Sequence, residues 1–300
     1  MNIAKGRDPN QPLGIYAHIE SIKELVDYKR IREFNPAFSS LEDEQVADLL
    51  STLEGLAFMR IPLVADAPDT IHDSLITKDP NSGLNAAQVV GFAGLTHNVM
   101  DQVLDKLSPD LYGRYLAVTS ANKSKMLPPP PNASPEAIKA VAQELGIDYV
   151  FINGSCEANG LKVGSFTILD FSTPNGPYVS RPGNVHPVIL SLLISVYLGN
   201  PNYQLINNAT GDLFENMRKE MENRNYTPTE IQAFITVAYP RLVHLIQEIV
   251  AFGAAKEQTI SAMKEILCNQ SFDIIKSELI SDSGYRQLHV QVFNSLVHKI

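Results

Sequence analysis

The chain has 300 residues, of which 44% are hydrophobic, and a formal net charge of −9. This composition is typical of a globular protein and excludes a disordered or fibrous chain. No apolar run approaches the roughly 20 residues that cross a bilayer, and we expect no secretory signal at the N-terminus. The excess of acidic residues gives no general attraction for nucleic-acid phosphates. Two cysteines cannot form a disulfide framework, so we predict a cytoplasmic protein with reduced thiols.

Helix and strand signals alternate in the first two thirds of the chain. Ser40 and Ser134 are predicted helix N-caps, and Gly55 and Gly146 are predicted to end the same two helices. In chain order we predict a helix over 41–54, a strand over 58–62, a loop over 63–85, a helix over 96–107, a strand over 115–119, a helix over 135–145, and strands over 149–153 and 166–171. The 96–107 helix should have one apolar face, formed by Val99, Val103, Leu104 and Leu107.

The last third of the chain carries helical signals only. We expect no strand after Gly199. Thr227 and Glu230 form a predicted capping box that opens a helix through about Phe252, which Pro240 is expected to kink. Further helices are predicted over 257–280 and 285–299. The fold class is therefore predicted as α/β, with an α/β domain at residues 1–196 and an all-α domain at residues 197–300.

Three short polar segments are candidates for ligand binding. Lys5 and Arg7, two residues apart in a segment predicted to be extended, should point the same way and combine a point charge with a planar fork. Ser120 and Asn122 follow an apolar strand, where ligands gather in open α/β sheets, although they could equally cap their own turn. Arg181 precedes a Pro-Gly turn, and could reach a ligand or form a surface ion pair.

Taken together and in this order, the segments form a more specific pattern than any one of them alone. The series KGRxxxxPL at 5–13, TSAN at 119–122, FTILD at 166–170 and RPG at 181–183 resembles the YrdC-like family of threonylcarbamoyl-AMP synthases. The resemblance implies a twisted mixed sheet with flanking helices. It implies an enzyme that condenses L-threonine, bicarbonate and ATP, the last as its Mg²⁺ complex, into threonylcarbamoyl-adenylate. That product serves a tRNA modification.

The resemblance also assigns roles to individual residues. Lys5 and Arg7 would be the catalytic basic pair over the phosphates and the carboxylated threonine. The nucleotide- and substrate-binding residues would be Arg60, Ser120, Asn122, Thr167 and Arg181. No protein ligand for a metal is implied, because Mg²⁺ would arrive with the triphosphate and keep several of its waters.

Two functions stay open at this point. The family's P-T-D-T-x-Y-G-L segment has no counterpart ahead of Lys5 in this sequence. The chain is therefore either a divergent synthase or a YrdC-like fold that binds a nucleotide, RNA or a protein partner without turnover. The net charge does not favour RNA, and no membrane partner is expected. The helical segment after residue 196 would be the place for a protein partner.

Overall fold

The structure is a computed structural model. It describes residues 3–8, 11–78, 83–91, 94–107, 114–119, 134–147, 166–181, 185, 187–200, 203, 206–207, 218, 221–222, 226–252, 256–264 and 272–298. Within these ranges, no helix combines the length and the hydrophobicity that a membrane crossing requires. The strand predicted over 149–153 lies outside them.

One mixed β-sheet organises the first two thirds of the chain. The strands that the structure describes are β1 (Gly14–Tyr16), β2 (Ala57–Pro62), β3 (Ile76–Lys78), β4 (Asn85–Val89), β5 (Leu116–Val118), β6 (Thr167–Asp170), β7 (Tyr178–Arg181) and β8 (Ile206–Asn207). Their order is β5-β1-β4-β2-β6-β7-β8, and β3 pairs with β4. The pairs β1–β4, β2–β6 and β7–β8 are parallel, and the other pairs are antiparallel. The predicted α/β class is thereby confirmed.

Helices flank the sheet and continue beyond it. Their bounds are α1 (Ile19–Leu25), α2 (Tyr28–Phe34), α3 (Asp43–Leu53), α4 (Gly94–Lys106), α5 (Pro135–Glu144), α6 (Pro187–Leu198), α7 (Pro228–Ala233), α8 (Tyr239–Phe252), α9 (Lys256–Met263), α10 (Phe272–Ile280) and α11 (Asp282–His298). A π-helical segment, Phe234–Ala238, joins α7 to α8, so the predicted helix through Phe252 changes its pitch just before Pro240.

Local capping signals explain where several helices begin and end. Ser134 accepts a hydrogen bond from the Ala137 amide, and Thr227 forms the predicted capping box with Glu230. The prediction that Ser40 caps α3 is wrong. Glu42 is the N-cap, because the Gln45 side chain turns back and accepts the Glu42 backbone N–H at 2.9 Å.

The segment at 63–85 is not the loop that its polar composition predicts. It contains β3 and the first residue of β4, which pair with each other in antiparallel register. These short strands carry little periodic hydrophobic signal of their own. Long-range pairing with the sheet supplies their hydrogen bonds, and this tertiary context overrides local preference.

Helix α4 is rotated relative to its predicted apolar face. Of the four residues predicted to share that face only Leu104 is buried, and the others, Val99, Val103 and Leu107, are exposed. The inward side instead carries His97, two turns before Leu104, and Asp101, one turn before it, and both contact Tyr16 of β1. A polar network thus decides which side of α4 faces the sheet.

The last third of the chain shares its hydrophobic core with the sheet. Helix α6 is buried along its length and packs between α3 on one side and α8 and α9 on the other. The expectation that no strand follows Gly199 is wrong, because β8 pairs with β7 at Tyr178 and Val179. The core cluster spans both sides of the predicted boundary at residues 196 and 197, and that domain boundary stays a prediction.

Candidate anion-binding site

A cationic cluster forms where the N-terminal segment meets the end of β5. Lys5 Nζ donates to Thr119 Oγ1 over 2.8 Å, and Arg7 NH1 donates to the same oxygen over 3.1 Å. One hydroxyl oxygen has two lone pairs and can accept both bonds. The cations of the first motif therefore meet the first residue of the TSAN motif, from which more than a hundred residues separate them.

The backbone reason differs from the predicted extended segment. Lys5 ends a 3-10 helix, Ile3–Lys5, and Gly6 follows with φ of +65°, a conformation that side-chain-bearing residues rarely adopt. The Gly6 amide donates to the Ile3 carbonyl over 3.0 Å and closes this turn. The turn, rather than strand alternation, brings Lys5 and Arg7 to one oxygen.

Strand β5 positions Thr119 through its pairing with β1. Gly14 lies opposite Val118, and a methyl group at Gly14 would come within 2.6 Å of a Val90 side-chain carbon. Because Gly14 has no side chain, β1 can pair with β5 here without a clash with Val90. Ser120 and Asn122, the predicted phosphate-binding pair, follow Thr119 in the chain and lie outside the described residues.

The cluster brings positive charges close together. Lys5 is only 4% exposed, and burial followed by the charge of Arg7 lowers the pKa of its amine to about 8. Partial burial and then the charge of Arg7 also lower the pKa of Arg181. Arg181 donates to the Phe166 carbonyl over 3.0 Å. The basic residues of the first and last motifs thus lie within electrostatic reach of one another, an arrangement that an anion would stabilise.

Two further predicted site residues make contacts of their own. Arg60 NH1 lies 3.6 Å from Asp170 Oδ2, its register partner across β2 and β6. Thr167 is fully buried and donates from its hydroxyl to the Val185 carbonyl over 2.5 Å. These contacts support the sheet and do not join the cationic cluster, and the ligand-binding roles of both residues stay predictions.

An apolar crevice of about 290 Å³ lies against β5. Its lining residues come from the segment before β3 and from β5: Thr70, Ile71, His72, Ser74, Leu75, Tyr115 and Ala117. Ala117 precedes Thr119 by two residues, so both side chains point to the same face of the strand.

Sequence reasoning missed a second polar network, at the other end of β1. Tyr16 is fully buried, and its Oη donates to Asp101 Oδ1 over 2.7 Å and lies 3.0 Å from His97 Nδ1. His97 Nε2 is 3.1 Å from Asp101 Oδ2, and His18 Nδ1 lies 3.5 Å from Asp101 Oδ1. Burial and the bond to Asp101 raise the pKa of Tyr16, which keeps its proton for that bond. No local pattern joins residues more than 80 positions apart.

Comparison with known proteins yields no match: no family model, no curated protein and no solved structure is similar to this chain. The class that its fold and site define is an α/β protein with a mixed sheet and a cationic cluster at one edge strand. Among the residues that the structure describes, no group of three or more His, Cys, Asp or Glu side chains is arranged to hold a metal ion.

Proposed function

We propose that this protein is a divergent threonylcarbamoyl-AMP synthase, a nucleotidyltransferase that binds ATP through the cationic cluster. One observation carries the proposal. Lys5 and Arg7 of the first motif both donate to Thr119, which opens the TSAN motif, and Arg181 of the last motif lies near enough to Arg7 for their charges to interact. If these motifs lay far apart in the fold, they could not form one ligand-binding site.

The chemistry of adenylation suits these residue types. Threonine and bicarbonate condense to an N-carboxylated threonine with loss of water. A carboxylate oxygen of that species attacks the α-phosphorus of ATP, and pyrophosphate leaves with the electron pair of the broken P–O bond. Lys5 and Arg7 would neutralise charge on the phosphate oxygens and hold the reacting groups in line. No covalent bond to the protein is required.

Magnesium fits this proposal as part of the substrate. The side chains in contact at the cluster are the cations of Lys5 and Arg7 and the Thr119 hydroxyl, with the Arg181 guanidinium nearby. Such groups hold phosphate oxygens rather than a metal. A Mg²⁺ ion bound to the triphosphate would spread its negative charge. The task of the chain's own residues is then to bind and orient the tail of the nucleotide.

The test is ATP-dependent release of pyrophosphate in the presence of threonine and bicarbonate. We expect release by the full chain, and a loss of at least about tenfold in ATP affinity in Lys5→Ala and in Arg181→Ala, because each removes a charge-assisted contact. Lys23→Ala is the matched control, since Lys23 is a surface lysine paired with Glu20 over 2.9 Å. Unchanged affinity in both cluster variants would contradict the proposal.

The same assay separates turnover from binding alone. ATP that raises the melting temperature without releasing pyrophosphate would favour the alternative, a YrdC-like protein that binds a nucleotide without catalysis. Release that requires threonine and bicarbonate together would favour the synthase. If ATP neither binds nor yields pyrophosphate, this chain does not use a nucleotide and both functions are wrong.

A further inference from the structure

Lys5 places a buried amine next to a guanidinium. The residue is 4% exposed, and its Nζ donates to Thr119 Oγ1 over 2.8 Å. Arg7 NH1 donates to the same oxygen over 3.1 Å. Since both nitrogens contact one oxygen, a small anionic group formed on the amine would lie within hydrogen-bonding reach of the guanidinium. A guanidinium donates charge-assisted hydrogen bonds to such a group.

These surroundings favour the uncharged form of the Lys5 amine. Burial and then the charge of Arg7 lower its pKa to about 8, against an ordinary value of 10.5. The fraction of uncharged amine at pH 7 is therefore at least about a hundredfold larger than in an ordinary lysine. An uncharged amine is a nucleophile, whereas an ammonium ion has no lone pair to donate.

The burial of Lys5 limits which electrophile can reach it. A bulky aldehyde or acyl donor would have to push aside the Thr119 hydroxyl that the amine contacts. Carbon dioxide is small and uncharged, so it enters a desolvated position at little cost. The product of its reaction with an amine is an anion, which a guanidinium and a hydroxyl can hold.

We propose that Lys5 is a carbamylation site and that its co-reactant is carbon dioxide. The lone pair of the amine forms a bond to the carbon of CO2, and the electron pair of one C–O π bond moves to oxygen. The nitrogen then releases a proton to water and leaves the carbamate Lys–NH–COO⁻. Arg7 would donate to one carbamate oxygen, and Thr119 can donate its hydroxyl proton to the other. The step uses neither ATP nor threonine, so it does not rest on the proposed function.

Lys276 is a second buried lysine, with surroundings of opposite charge. It is 8% exposed, and its Nζ lies 3.2 Å from Glu230 Oε1 and 4.1 Å from the centre of the Tyr226 ring. The carboxylate and the face of the ring both favour an ammonium ion, and the carboxylate would repel a carbamate. The two lysines are thus similarly buried but differ in the charge beside them, so Lys276 is the natural comparison.

Carbamylation would reverse the charge that Lys5 contributes to the cationic cluster. We therefore expect tripolyphosphate to bind at least about tenfold more weakly in saturating bicarbonate, because a charge-assisted contact is lost. Bicarbonate also competes as a simple anion, and Lys5→Arg separates the two effects. Arginine keeps the positive charge and stays protonated, so it forms no carbamate. Equal weakening in Lys5→Arg and in the wild type would count against the proposal.

The deciding experiment traps the carbamate on the full chain. The protein is equilibrated with isotopically labelled bicarbonate at pH 8 without ATP or threonine, treated with triethyloxonium to convert carbamates into stable ethyl esters, and digested for mass spectrometry. We expect the label on Lys5, and at least about tenfold less on Lys276 and on the ion-paired Lys23. Arg7→Ala should lower the labelling of Lys5 at least about threefold, because it removes a neighbouring charge that favours the uncharged amine and the carbamate. Arg30→Ala, which removes an arginine from a surface ion pair, is the matched control and should change nothing.

The amino terminus supplies the positive control within the same sample. An α-amino group has an ordinary pKa of about 8 and reacts with carbon dioxide. A label on the amino terminus without one on Lys5 would overturn the proposal, as would equal labelling of Lys5 and Lys276 or unchanged labelling in Arg7→Ala. If Arg7→Ala does not fold, the comparison of Lys5 with Lys276 in the wild type decides, because it needs no variant. Pyrophosphate release is measured separately, so the proposed function and the carbamate can fail independently.

Discussion

Lys5 Nζ lies 2.8 Å from Thr119 Oγ1, although 114 positions separate the two residues in the chain. The contact joins an N-terminal turn to the end of an edge strand. It also leaves a buried amine beside the guanidinium of Arg7, at a cost in electrostatic free energy that a bound anion would offset. The contact thus places two positive charges next to one hydroxyl oxygen.

Anion binding should depend on pH because of Lys5. In the ligand-free protein its amine loses its proton as the pH rises through its pKa of about 8. Binding of tripolyphosphate favours the protonated amine, so affinity should be constant below pH 7 and fall above pH 8, by at most about tenfold per pH unit. Calorimetric titration at pH 7 and pH 9 measures this. In Lys5→Arg the fall should disappear, and a fall of the same size would show that another group titrates.

Lys5 should also contribute a pH dependence to folding. Its pKa is about 8 in the folded chain against an ordinary value of 10.5. Between these values the unfolded chain binds more protons, so stability rises with pH by up to about 1.4 kcal/mol per unit. Denaturation of the wild type and of Lys5→Met at pH 8 and pH 10 isolates this contribution. The wild type should gain on the variant as the pH rises, and a parallel response would contradict the assignment.

Tyr16→Phe should destabilise the protein through the network at α4. The change removes the donor to Asp101 in a fully buried position and leaves that acceptor without it. We expect a loss of about 1–3 kcal/mol in the free energy of unfolding, measured with urea. Tyr178→Phe is the control, because its exposed hydroxyl donates to the Pro174 carbonyl and its loss should cost much less.

Gly14→Ala should disturb the strand pairing that positions Thr119. The added methyl group would lie 2.6 Å from a Val90 side-chain carbon, so β1 or Val90 must move, at a cost of about 1–3 kcal/mol. Stability and tripolyphosphate affinity should fall together. The double variant Gly14→Ala/Val90→Ala makes room for the methyl group and should recover part of both. A Gly14→Ala protein with unchanged stability would mean that the backbone adjusts freely at this point.

Local sequence signals predicted those parts of the fold that depend on neighbouring residues. Ser134 and Gly146 delimit α5, and Thr227 opens α7, because capping uses groups within one helical turn. Strand β3 and the inward side of α4 were not predicted. Strand β3 pairs with β4, which is itself placed by pairing with β1 and β2, and the inward side of α4 depends on Tyr16, which is distant in the chain.

The candidate site, like the fold, was predicted from the sequence only in part. The approach of Lys5 and Arg7 to the TSAN motif was expected from the resemblance as a whole, since each residue alone is an ordinary surface cation. The participation of Thr119 as the shared acceptor could not be predicted, because it depends on the turn at Gly6. Arg60 resembles a ligand-binding arginine in the sequence, yet it has a carboxylate beside it in the neighbouring strand.

Helix α6 is largely apolar and buried, with Ser191 and Ser195 as its buried polar residues, and the C-terminal helices α8 and α9 pack against it. A fragment that stopped at residue 199 would expose this surface to solvent and would be prone to aggregate. The sheet and the helices should therefore melt in a single cooperative transition. The cationic cluster then depends on helices that contribute no residue to it.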